Sequence, residues 1–215
     1  MGLWDKARGL LGGDRTAQAW LRQVSGRALV CSDHGTLSFP DGRLSAGDAS
    51  DGRGKLLRDG PAGTAEARVL TATDRSHPND AGANSLLWLE VSGTRPVATG
   101  RRLGFGTDVA TLALTDGYGA DAFRAFSARL RETGPGDSFD WLEPQITATS
   151  NFAKWTGIPG TDARLFLFTT RADGGYEAVW LLDKDGGLSG ILIDIMGRTG
   201  DLKYLDKLLP AATPA

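Results

Sequence analysis

Six Asp-Gly pairs, Asp41-Gly42, Asp51-Gly52, Asp59-Gly60, Asp116-Gly117, Asp173-Gly174 and Asp185-Gly186, punctuate this 215-residue chain. Both members of such a pair tolerate positive φ, which makes the pair a strong tight-turn signal. Such punctuation points to many short strands. Glycine supplies 30 residues, about twice ordinary usage. It follows no collagen period, and the chain has no fixed repeat or low-complexity tract, so solenoids and propellers are disfavoured. The length suits one domain carrying a short appendage.

Charge and apolar patterning exclude several roles. Lys and Arg total 24 against 26 Asp and Glu, a net charge of -2, so no basic field gathers phosphates and no nucleic-acid partner is expected. The longest apolar runs, such as Ala178–Leu182 and Ile191–Ile193, fall far short of the roughly 20 residues of a bilayer span. The first residues lack the apolar core and small-residue cleavage site of a signal peptide. A single cysteine, Cys31, excludes an internal disulfide and a cysteine zinc site, and points to a reducing cytoplasm.

Periodicity divides the chain into an N-terminal helical appendage at 1–24, one β-rich domain at 25–210 and a frayed tail at 211–215. In the appendage Leu3, Trp4, Ala7, Leu10 and Leu11 fall at helical spacing, Gly12-Gly13 breaks the helix, and Asp14 caps a second one through Val24. Arg27–Cys31, Thr36–Phe39, Arg68–Thr73, Leu86–Val91 and Val109–Leu114 are predicted strands, with Gly42–Gly63 a long polar loop. Ala120–Glu132 is the strongest helix of the body, since Ala122, Phe123, Phe126 and Leu130 line one face and Gly134-Pro135 stops it. Arg164–Thr169, Tyr176–Leu182 and Leu188–Ile195 read as an antiparallel meander, and Asp201–Leu209 as a final helix. The fold class expected is α+β, an antiparallel β-rich body that is sandwich-like or strongly curved. Trp88, Phe123, Phe126, Phe166, Phe168 and Trp180 are its expected core.

No segment completes a catalytic constellation. Around Asp173-Gly174-Gly175-Tyr176 a carboxylate and a phenol flank a bare backbone that a ligand can approach, although hairpin chemistry alone accounts for the same residues. Asp183-Lys184-Asp185-Gly186-Gly187 imitates the start of a calcium loop, but positions six and twelve are Leu188 and Asp194 where an EF-hand needs Gly and Glu, so it reads as a turn. Gly104-Phe105-Gly106 lacks the third glycine of a dinucleotide fingerprint, and no cofactor is expected. Asp108 and Asp116 bracket the run Val109–Leu114, and Asp116 serves equally well as a helix cap. His34, in a predicted turn at 32–34, and His77, in a polar loop, have no neighbouring nucleophile motif. Cys31 reads as a small buried hydrophobe.

Three segments together resemble the bacterial domain of unknown function 4241 family. They are Gly35-Thr36-Leu37-Ser38-Phe39-Pro40-Asp41-Gly42-Arg43-Leu44-Ser45-Ala46-Gly47-Asp48, Thr107-Asp108-Val109-Ala110 with Asp116 beyond, and Ala172-Asp173-Gly174-Gly175-Tyr176 followed by Asp183-Lys184-Asp185-Gly186 and Asp194-Ile195. The likeness spans about 35–195. It departs from the family pattern at Ala49, where Pro is usual, at Ala110 and Ala172, where glycines stand, and at Ile195 in place of an aromatic residue. The resemblance implies a β-rich bacterial protein and gathers Asp48, Asp108, Asp116 and Asp173, with Gly174 and Tyr176, as a candidate ligand-binding site. It carries no established activity.

The functional expectation is therefore a non-catalytic cytoplasmic binding or protein-interaction module. Its candidate docking element is the stripe of Leu3, Trp4, Leu10 and Leu11, since short amphipathic helices dock in partner grooves. The rival expectation is a metal-assisted hydrolase built on the four aspartates, because hard cations take oxygen ligands and activate water. A protective role against a toxin or phage component follows only from the kind of bacterial protein implied.

Overall fold

In a computed structural model of the chain, the residues described are 29–50, 55–59, 66–74, 83–134, 136–146 and 152–195. The expected helices in 1–24 and at Asp201–Leu209, the tail at 211–215 and His77 lie outside the described residues. The strands are β1 (Leu29–Ser38), β2 (Arg43–Asp48), β3 (Lys55–Asp59), β4 (Glu66–Asp74), β5 (Ala83–Glu90), β6 (Ala98–Thr107), β7 (Thr111–Asp116), β8 (Ala153–Gly157), β9 (Arg164–Thr169), β10 (Gly174–Leu182) and β11 (Leu188–Asp194). Helices α1 (Gly117–Thr133) and α2 (Ser138–Ile146) fall between β7 and β8.

The strands form two antiparallel sheets, one ordered β1-β4-β5-β11-β10-β6 and the other β3-β2-β7-β9-β8. The sheets share a core because strand alternation sends every second side chain inward. Val69, Leu87, Leu89, Ile191, Ile193, Ala178 and Trp180 from the larger sheet meet Leu44, Ala46, Leu112, Leu114, Phe166 and Phe168 from the smaller one. Phe166 and Phe168 are fully buried, and each such ring contributes about 1.5–3 kcal/mol. The alternate residues of the smaller sheet, Ala113, Leu165 and Leu167, pack beneath Phe123, Phe126 and Leu142 of the helices. The central strands β2, β7 and β9 of the smaller sheet are thus buried on both faces. The expected α+β, antiparallel β-rich body stands, and among the described residues no helix is long and apolar enough to cross a membrane.

The structure corrects several local expectations. β9 and β10 do not pair as part of one meander; β9 lies in the smaller sheet and β10 in the larger, and only β10 and β11 form a hairpin. Phe166 and Phe168 of β9 and Ala178 and Trp180 of β10 contribute to the same core from different sheets, so the two runs are joined through packing and not through a ladder. The expected loop at Gly42–Gly63 contains β2 and β3. β2 sits between β3 and β7, and its small Ser45 and Gly47 border a narrow cavity with Ala120 and Phe123 of α1, which obscures its strand pattern. The turn expected at 32–34 is absent: β1 runs on as one strand, with a bulge between Asp33 and Thr36 and Gly35 at φ 84°. Cys31, read as buried, is half-buried on β1.

That bulge stitches the sheets along one side. The Trp155 indole on edge strand β8 donates to the His34 carbonyl at 2.7 Å, and Arg164 donates to the Thr36 carbonyl at 3.1 Å. The Arg164 guanidinium covers the Trp155 ring at 4.3 Å. The His34 ring rests against Phe166, centroids 5.0 Å apart, and its Nε2 lies 2.8 Å from the Thr71 hydroxyl on β4. His34 therefore belongs to the seam between the layers.

Candidate functional site

Two crossovers between the sheets lie side by side at one end of the molecule. The chain leaves β6 at Thr107 and enters β7 at Thr111, while a second passage leaves β9 at Thr169 and enters β10 at Gly174. Their flanks pair directly, Gly174 with Thr107 and Thr111 with Thr169, so the sheet registers set residues 108–110 against 170–173. Changing layers within a few residues bends the backbone sharply, and each crossover holds one non-glycine residue at positive φ, Ala110 at 48° and Arg171 at 64°. Such residues cost about 1–3 kcal/mol each and persist only where their surroundings hold them.

Side chains from the candidate set supply that hold. The Asp173 Oδ1 accepts the Ala110 N–H at 2.8 Å, and the Thr170 N–H donates to the Ala110 carbonyl at 2.8 Å. From the other side, at the end of β2, the Asp48 Oδ2 accepts the Val109 N–H at 3.3 Å and the N–H of Asp108. Its Oδ1 accepts the Ser50 N–H at 2.7 Å and the Ser50 hydroxyl. The Tyr176 phenol donates to the Ala172 carbonyl at 2.7 Å and lies 3.2 Å from the Thr170 carbonyl. The Thr107 and Thr170 hydroxyls meet in the buried space below at 3.1 Å.

Asp48, Asp108, Asp173, Gly174 and Tyr176 are thus gathered at this end, whereas Asp116 is not. It sits at the far end of β7, where its Oδ1 accepts the Gly119 N–H at 2.8 Å and caps α1. The helix start is packed tightly. A methyl group at Gly119 would overlap the Thr115 hydroxyl, and one at Gly117 would overlap Asp41 and Arg43. Among the described residues no three His, Cys, Asp or Glu side chains are grouped to hold a metal ion. Asp108, Arg171, Asp173, Gly174 and Gly175 are exposed at the tip, and Asp48 is half-buried beneath them.

The other motifs resolve into turns and strands. At the calcium-like loop the Asp183 Oδ1 accepts the Asp185 and Gly187 N–H groups at 3.0 and 2.8 Å, with Gly186 at φ 77°. The bond from the Gly187 N–H, with those from the Asp185 N–H and the Thr94 hydroxyl, holds the Asp183 carboxyl below the usual carboxylate range, outweighing the opposing effect of desolvation. Gly104 and Gly106 lie within β6. Leu3, Trp4, Leu10 and Leu11 lie outside the described residues. Sequence patterning passed over Thr170 and Arg171 and marked Ala110 only as a departure from a family glycine position; the positive φ of Ala110 and Arg171 and the bonds of Thr170 emerge only with the fold. It passed over α2 as well, although Asp137 followed three residues later by Asp140 is a helix-start signal. No family model, curated protein or solved structure matches the chain.

Proposed function

We propose that the chain is a non-catalytic protein-binding module of the bacterial cytoplasm, related to the domain of unknown function 4241 family. The observation that carries this reading is the use made of the best-placed polar groups. Asp48 and Asp173 accept backbone N–H groups of one turn, Tyr176 donates to a backbone carbonyl and Asp116 caps a helix. These bonds fix the backbone; a general base has to be aimed at the proton it takes and a metal ligand at an ion it shares with other ligands, demands that holding a turn does not make. The family reading gains support from Ala110, which occupies a family glycine position and has a glycine-favouring φ of 48°.

The docking element of the module is the apolar stripe of Leu3, Trp4, Leu10 and Leu11. Its test uses the full chain with Leu3→Asp, Trp4→Ala, Leu10→Asp and Leu11→Asp combined. The expected result is an unchanged melting temperature and loss of the protein partner that the parent chain captures by crosslinking. Unchanged capture overturns the docking role. Calorimetric titration with magnesium, calcium and manganese tests the rival hydrolase: heat that disappears in Asp48→Asn and Asp173→Asn overturns the non-catalytic reading.

A further inference from the structure

The last turn of α1 and the first turn of α2 border an open groove of about 470 Å3, lined by Leu130, Gly134, Gly136, Asp137, Asp140 and Trp141. Its size falls within the roughly 300–1,000 Å3 of small-ligand and side-chain pockets. The floor is apolar, and its Trp141 ring is packed on two phenylalanines. Phe126 meets the Trp141 ring edge-on with centroids 5.1 Å apart, Phe123 lies at 5.9 Å, and both Trp141 and Leu130 keep part of their surface exposed. A ring held by its neighbours loses little entropy when something docks on it.

The rim is negative. The Asp137 Oδ1 accepts the Phe139 and Asp140 N–H groups at 2.8 and 3.3 Å, and the Asp140 Oδ2 accepts the Asp137 N–H at 2.8 Å. These bonds place both carboxylates at the positive end of α2, where they offset its dipole, while the C-terminal end of α1 adds partial negative charge. Arg131 opposes this from the last turn of α1, and the exposed Glu132 beside it balances that charge. An apolar floor under an acidic rim is complementary to an apolar side chain flanked by a cation.

We infer that this groove docks a basic amphipathic segment of a protein partner, seating an apolar residue on Leu130 and Trp141 and a Lys or Arg against Asp137 and Asp140. The inference names a partner chemistry for the binding-module reading and rests on it. A cation held over the Trp141 face adds to the attraction.

The test is fluorescence anisotropy of a labelled eight-residue peptide with leucines and lysines at helical spacing, titrated with the full chain. Binding is expected for this peptide and not for its counterpart with glutamate in place of lysine. The Asp137→Asn, Asp140→Asn double variant keeps both capping oxygens and should bind about five-fold or more weakly. Leu130→Ser should weaken binding with little effect on the salt dependence. Equal binding of the two peptides, or unchanged binding by the double variant, overturns the inference. So does reversible self-association of the chain that the double variant abolishes, since a second copy is then the occupant. The variant altered at Leu3, Trp4, Leu10 and Leu11 separates this result from the docking role: it should bind the peptide normally even if that role fails.

Discussion

The Asp173 carboxylate accepts the backbone N–H of Ala110 across two crossovers 63 residues apart in sequence, at 2.8 Å. With Asp48 gripping the preceding two N–H groups from the end of β2, one three-residue turn is held by two carboxylates from different strands. The acidic cluster thereby fixes where the chain changes sheets.

Ala110→Gly should stabilise the fold. Its φ of 48° costs an L-residue about 1–2 kcal/mol that glycine does not incur, and the greater freedom of glycine in the unfolded chain returns part of that gain. Urea denaturation should show a net increase of up to about 1 kcal/mol. A decrease would mean that the Ala110 methyl group contributes more than the strain costs.

Asp48→Ala should be markedly worse than Asp48→Asn. Alanine leaves the donors of Ser50, Asp108 and Val109 without their acceptor, at about 1–3 kcal/mol in total for a half-buried site, whereas asparagine keeps one oxygen in place. Equal melting temperatures for the two variants would remove Asp48 from the turn's support.

Gly190→Ala and Gly175→Ala form a matched pair. A methyl group at Gly190 would lie 2.6 Å from the Leu89 carbonyl oxygen and 2.9 Å from the Trp88 ring, and the carbonyl belongs to a neighbouring central strand. The overlap should cost about 1–3 kcal/mol. Nothing lies within 4 Å of a methyl group at Gly175, so that variant should stay within about 0.5 kcal/mol of the parent. Both are measured by thermal unfolding.

Acidification should weaken the seam at His34. Burial pushes the imidazole below its ordinary value, and the nearby Asp33 charge only partly opposes it. The unfolded chain therefore binds the proton more readily, and stability falls as the pH drops from about 6.5 toward the lower folded value. His34→Gln should flatten the stability profile between about pH 7 and 5. The carboxyl of Asp33 is held low, burial opposing but outweighed by its bonds to Arg68 and Gly35, so its own loss comes at more acidic pH. An unchanged slope in His34→Gln would exclude the imidazole as the source.

The legible parts of the fold were those where the flanking residues left a local signal one outcome; Asp116-Gly117, the same pair as at 185–186, opens α1 instead of a hairpin. Asp-Gly at 185–186 marked the β10–β11 turn, and the apolar face from Ala122 to Leu130 marked α1. β2 was hidden because a strand covered on both faces by tight packing uses Ser45 and Gly47, which resemble loop residues. α2 was hidden by Pro144, tolerated in its last turn but a breaker by composition. The site was partly legible: short motifs gathered Asp48, Asp108, Asp173 and Tyr176, but Asp116 was grouped with them although a full strand of β7 separates it from the others. Sequence motifs do not reveal which end of a strand a residue occupies until the sheet register is known.

The placement of β11 between β5 and β10 bears on synthesis of the protein. Until residues 174–194 have left the ribosome, β5 has one bare edge and β6 has no neighbour in its sheet. The larger layer therefore cannot close around the nascent chain in stages. A growing polypeptide must keep the apolar strand 83–90 from aggregating while that late hairpin is made, and chaperone dependence should concentrate in that interval.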